Sequence, residues 1–175
     1  MMAAMMVPST VPLLRLDYAT TGSRPRLVAL TGGYLLVWIA FGCVVLGADA
    51  LAGDRLLGMH GRRLTAALLA VAALYQLLPL KRRCLTRCRA PLGRLLLGWR
   101  DGLVGATRMG VTNGVWCAGC CAGLMVALLG LGVMSWVWMV LVGAVILLEK
   151  VTPIGAAMSL PVSAVLAIGA VVWAL

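Results

Sequence analysis

No charged residue interrupts the chain between Met109 and Leu148. A helix crosses the hydrocarbon core of a bilayer in about 20 residues, so this stretch is roughly twice as long as one crossing requires. It must turn back on itself, and Gly130-Leu131-Gly132 is where the turn is expected, with Ser135 and Trp136 opening the return. Few water-soluble folds could bury such a run. The rest of the sequence agrees: 63% of residues are hydrophobic, 11% are charged, and the mean hydropathy is +1.05. A soluble domain carries about 25% charged residues. Too little polar surface is present to cover a globule in water, and the sequence reads as an all-α integral membrane protein.

Further spans come from the same criterion. Residues 27–47 are free of charge, 64–80 are shorter and close on Pro79, and 154–175 carry Pro161 inside them, where a kink is expected. Together with 111–131 and 134–148 these make five full spans of a polytopic helical bundle. The single integral membrane domain then runs over 1–175. Residues 1–14 are apolar up to Leu14 and lack the basic start of a signal peptide, so they read as a partial N-terminal membrane helix, the second half of a span. Between the second and third spans, Leu92, Leu95, Leu96, Trp99 and Leu103 recur among Arg94, Arg100 and Arg108, a spacing that suits a short interfacial helix.

The charge that remains is lopsided, with 15 Lys and Arg against 5 Asp and Glu, a formal net charge of +10. In a soluble chain this would suggest nucleic acid. Here the basic residues fall in the links between apolar runs, so they report topology and contact with the lipid bilayer's anionic headgroups, and no nucleic-acid partner is expected. Segments 15–26 and 81–108 and the Glu149-Lys150 turn fall on one side by alternation and hold most of the basic residues. That side is cytoplasmic, which places the Lys81–Arg108 loop inside the cell and the C-terminus in the periplasm or exterior.

Six cysteines stand at 43, 84, 88, 117, 120 and 121. Cys84 and Cys88 share a face if their segment is helical, and the arginines around them should favour thiolate, the form that binds metal. Cys117, Cys120 and Cys121 give two further same-face pairs. Soft thiolates select Cu(I), zinc or an iron–sulfur centre, and the spacing is not that of a zinc ribbon. Plain packing is the competing reading, because a free cysteine also behaves as a small apolar residue; for the lone Cys43 packing is the better account. The two clusters meet only if the third span starts later than Met109 or tilts, since Cys117 otherwise lies about 12 Å inside it. Met1, Met2, Met5 and Met6 offer thioethers at helical spacing, again soft ligands or apolar filler. His60, near Asp49, Asp54 and Met59, reads as part of a solvated loop. Glu149 and Lys150 are expected to snorkel or pair with headgroups, and Tyr75 and Gln76 to glue helices together. No ionisable residue is expected mid-membrane, which argues against a proton-coupled transporter or pump. No Ser-His-Asp set, Walker motif or Rossmann glycine pattern occurs.

Met1-Met2-Ala3-Ala4-Met5-Met6-Val7-Pro8, Gly33-Tyr34-Leu35-Leu36-Val37-Trp38, the run from Tyr75-Gln76 through Pro79-Leu80-Lys81 to Cys84 and Cys88, and Trp116-Cys117-Ala118-Gly119-Cys120-Cys121 occur in this order. With these motifs the chain resembles a bacterial family of predicted metal-binding integral membrane proteins, classed as a domain of unknown function. The resemblance extends to Glu149-Lys150. It implies a multi-pass bundle in the bacterial inner membrane, with the metal-binding label falling on Cys84, Cys88, Cys117, Cys120 and Cys121 and extending to Met1, Met2, Met5 and Met6. Members of that family usually carry a helix ahead of the Met-Met block. The expected function is non-enzymatic: binding of a soft metal, copper as Cu(I), through cysteines near the cytoplasmic face, in copper handling or in loading a membrane metalloenzyme. The alternative is an accessory subunit of a larger membrane complex, for which the 21 glycines would provide close packing against partner subunits. A thiol redox enzyme using Cys120 and Cys121 is a third, weaker reading.

Overall fold

The computed structural model describes Met6, Pro8 and residues 10–51, 61–88, 101–131, 135–152 and 155–175. Apart from short turns and helix ends these are helical, and no strand occurs among the described residues. We label the helices α1 (Val11–Thr21), α2 (Arg24–Leu51), α3 (Arg62–Leu77), α4 (Pro79–Cys88), α5 (Gly102–Leu131), α6 (Trp136–Val151) and α7 (Gly155–Ala174).

Helix α5 is the axis of the bundle. It packs on α2, α3, α4 and α6, while α7 packs chiefly on α3 and α1 on α2. Of its most apolar stretch 61% is buried, against 22% for α2 and 17% for α7. Small residues make this possible. A Cβ at Gly110 would collide with the Leu30 carbonyl and one at Gly33 with the Thr107 carbonyl, so α2 and α5 approach to backbone contact. Gly33 and Gly110 are thus used for packing within the chain.

The α1–α2 corner depends on Gly22, whose left-handed φ of 63° lets its N–H reach the Tyr18 carbonyl at 2.8 Å. The corner is locked by a buried ion pair, Arg26 Nε to Asp17 Oδ1 at 3.1 Å. Arg26 therefore turns inward, although the charge pattern placed it in a basic link.

The break between α3 and α4 decides where the segment carrying Cys84 and Cys88 lies. Leu78 is extended (φ −65°, ψ 139°), as a residue before proline prefers, and Pro79 then opens α4, where its missing N–H costs nothing. The two helices meet at a bend of 67°.

This changes the span count. Among the described residues α2, α5 and α7 are long and apolar enough to cross a membrane, and α3 with α4 makes a fourth only if the bent pair is one span. The sequence pattern predicts five full spans. The excess arises because α3 and α6 have 16 residues each, about 24 Å at 1.5 Å per residue, short of a hydrocarbon core of about 30 Å. Apolarity marks these segments as spans, but length excludes them on their own. The return after α5 opens at Trp136 with Ser135 at its N-cap position. Pro161 sits inside α7 without ending it. Of the partial N-terminal helix, Met6 is helical and buried, whereas Met1, Met2 and Met5 lie outside the described residues. So do most of the expected interfacial helix, His60, and the side chain of Asp49.

Candidate metal centre

Positions 117, 120 and 121 fall on one face of α5 because residues three and four apart are helix neighbours. That face points into the bundle, and the three cysteines are 3%, 3% and 1% exposed. The thiols of Cys120 and Cys121 both donate to the Cys117 carbonyl, at 3.1 and 2.8 Å. Helix α4 supplies the other pair. Bent away from α3, it lies along α5 and brings Cys88 Sγ to 3.6 Å from Cys120 Sγ. One turn earlier, Cys84 is buried over Gly119, its sulfur 2.9 Å from where a Cβ would stand. Gly119 is thus the seat of the Cys84 thiol. The two cysteine clusters converge without a later start of the span. Helix α5 begins earlier than Met109, and it is α4 that folds across to meet it.

Cys117 has a different environment. Its Sγ lies 2.9 Å from Lys150 Nζ and 3.3 Å from the Tyr34 hydroxyl. Lys150 Nζ is also 3.7 Å from Met6 Sδ, and the Tyr34 hydroxyl donates to the Met6 carbonyl at 3.2 Å. Met6, Cys84, Cys117, Cys120 and Cys121 share one buried core with Tyr34, Trp38 and Met125, and Cys88 packs on its edge. The site thus draws its sulfurs from the N-terminal segment, α4 and α5, and its cation from α6.

A second polar cluster braces the first. Lys81 Nζ donates to Glu149 Oε1 at 2.7 Å, to Oε2 at 2.9 Å, and to Gln76 Oε1. All three residues are buried. Glu149 and Lys150 are consecutive, so the end of α6 grips α4 through one side chain and reaches Cys117 on α5 through the other. The sequence pattern has both snorkelling toward headgroups; instead Glu149 is 2% exposed and Lys150 is partly buried. Buried ionisable groups are therefore present inside the bundle. Tyr75 bridges helices, its hydroxyl donating to the Gly119 carbonyl at 2.5 Å.

Arg82 and Arg83 are exposed, and the Arg87 guanidinium lies 4.7 Å from the centre of the Trp116 ring. Cys43 sits exposed on α2 and is not part of the buried core that holds the other thiols.

The donor set can be tested for fit. Two sulfurs 3.6 Å apart accommodate a metal at about 2.3 Å from each, the usual thiolate distance, with an S–metal–S angle of about 100°. Among the described residues no group of three His, Cys, Asp or Glu forms a metal cage. What the bundle offers is a sulfur pair with further sulfur nearby. Soft sulfur donors suit Cu(I), whereas structural zinc calls for four ligands in a tetrahedron. Sequence reasoning does not assign Lys150, Tyr34 or Gly119 to the site. One signal for Lys150 exists: it and Glu149 are the only charges beyond Arg108.

A family model described as PpoB2, copper chaperone, matches residues 1–173 of the chain. No curated protein and no solved structure matches it.

Proposed function

We propose that this chain, which belongs to the PpoB2 copper chaperone family, carries Cu(I) on its convergent cysteines and passes it to a copper-requiring acceptor. Cys88 on α4 and Cys120 on α5, 3.6 Å apart, are the primary ligands. Cys117 and the Met6 thioether stand beside them, Cys121 supports the same turn of α5, and Cys84 anchors α4 on Gly119. Met1, Met2 and Met5 would extend the thioether supply ahead of Met6. Binding replaces the two thiol protons with one Cu(I). No covalent bond of a substrate is made or broken, so the activity is ligand exchange and not catalysis.

The observation that carries this reading is a thiol pair shared between two helices that meet because the chain breaks at Pro79 and α4 then packs on α5. A ligand pair split between elements can be separated by moving one of them, and release is as necessary to a chaperone as capture. The acceptor we propose is a membrane metalloenzyme, reached laterally in the bilayer. The apolar length of α2, α5 and α7 supports residence in a bacterial inner membrane, and the basic 81–108 stretch supports its placement on the cytoplasmic side.

The test is metal content by mass spectrometry of the full chain purified in mild detergent without oxygen, beside a Cys88→Ser/Cys117→Ser/Cys120→Ser variant. Near-stoichiometric copper in the wild type, lost from the variant, is the expected result. Equal background metal in both overturns the proposal.

A further inference from the structure

Lys150 places an ammonium within 2.9 Å of Cys117 Sγ in the same buried core as the thiol pair. We propose that Lys150 is a specificity-determining residue that makes the site favour a monovalent soft cation over a divalent one. The proposal rests on the copper-site reading above and adds to it the basis on which the cargo is chosen.

The argument is one of charge in a poorly screened place. Cu(I) bound by two thiolates has a net charge of −1, which one ammonium neutralises. A divalent ion on the same two thiolates is already neutral and gains nothing from the ammonium. The comparison holds for any fixed set of sulfur ligands, because the divalent complex always carries one more positive charge than the monovalent one. Lys150 senses that extra charge from a few ångströms away. Glu149, the adjacent residue, is held by Lys81 at 2.7 Å. The Met6 thioether, 3.7 Å from the same ammonium, is an uncharged donor and leaves the count unchanged. Softness alone does not separate these ions, because zinc and cadmium also take thiolates. The lysine supplies the missing discrimination.

Two unit charges about 4 Å apart at an effective dielectric near 20 interact strongly enough to change a binding ratio by at least about 100-fold. The experiment measures Cu(I) affinity, by competition with a chromophoric Cu(I) chelator under reducing conditions, and Zn(II) affinity by competition with a zinc indicator. It uses the full chain in detergent and compares wild type, Lys150→Met and Lys150→Arg. The expected result is a Cu(I)-over-Zn(II) preference that falls by at least about 100-fold in Lys150→Met and is restored in Lys150→Arg. A role confined to packing would weaken both metals alike, so an unchanged ratio in a Lys150→Met protein that still binds Cu(I) overturns the proposal. The wild type gives an independent reading should the variants fail to fold. Monovalent Ag(I) should displace Cu(I), and thiophilic divalent Cd(II) should not do so at comparable excess. Displacement by Cd(II) as readily as by Ag(I) overturns it as well. A wild type that binds no Cu(I) overturns the copper-site reading, and this one with it, which is a different result from altered selectivity.

Discussion

Gly32 and Gly33 are adjacent in α2 and have opposite consequences. A Cβ at Gly32 meets nothing within 4 Å, whereas one at Gly33 runs into the Thr107 carbonyl. A backbone oxygen cannot rotate away as a side chain can, so the helices themselves must separate. Gly33→Ala should therefore destabilise the bundle by about 1–3 kcal/mol. Gly32→Ala should be neutral or stabilising by up to about 1 kcal/mol, since alanine favours helix over glycine. Thermal unfolding of the two variants in one detergent checks this, and equal shifts would refute the close approach. Gly33→Ala should also weaken Cu(I) binding, because Tyr34 follows it and its hydroxyl sits 3.3 Å from Cys117 Sγ. At this scale the cysteines are legible in the sequence, since thiol chemistry and helical spacing can be read from letters. Lys150 is not: its contact joins residues far apart in the chain and exists only once α6 has packed on α5. Gly119 is equally hidden, because nothing local reveals that the thiol of Cys84 will lie over it.

Helix α4 is basic, only 10 residues long and bent away from its predecessor, so its placement needs a cause outside itself. Tertiary ties supply it: Cys84 against Gly119, and the Lys81–Glu149 ion pair at 2.7 Å. Breaking a buried pair by removing one partner strands a charge and costs about 3–5 kcal/mol, whereas replacing both with apolar residues can be close to neutral. Glu149→Leu should accordingly lower the unfolding midpoint strongly, and Lys81→Met/Glu149→Leu should recover much of the loss. Because the pair holds α4 to α6, Glu149→Leu should also loosen Cys88 from Cys120. Faster modification of Cys88 by a maleimide, measured by mass spectrometry of the intact chain, would register that opening. An unchanged rate would mean that α4 is held by its other contacts. The sequence shows the long apolar helices α2 and α5 plainly, since an unbroken apolar run has few other folds available. It overcounts spans because composition marks a segment as apolar without fixing where the helix ends. Pro79 is visible as a breaker, but the direction of the chain after it is set by packing.

Over the whole molecule, apolar side chains cover the outside as well as the core. On α2, Val28, Leu36, Ile39, Val44 and Leu46 are each 59–70% exposed, and on α7 Leu160, Val165, Ile168 and Val171 are each 55–68% exposed. Leaving such a side chain fully in water forgoes about 1.5–3 kcal/mol relative to burying it, so these largely exposed faces together disfavour a water-soluble state by an amount comparable with a domain's usual net stability of about 5–15 kcal/mol. The chain is expected to stay with the membrane fraction through alkaline carbonate washing. Cys43 offers a sharper check, because it lies exposed on α2 among those apolar residues. In membranes opened so that both faces meet the reagent, a charged maleimide should fail to modify Cys43 in a chain whose other cysteines are serine. The same reagent should modify it once SDS strips the lipid away, and a single cysteine at the exposed Arg62 position, at the start of α3, should react in both states. If Cys43 reacted as fast as the Arg62→Cys control in intact membranes, the outer face of α2 would be in contact with water. The proposed copper site would then belong to a chain whose α2 face is not covered by lipid.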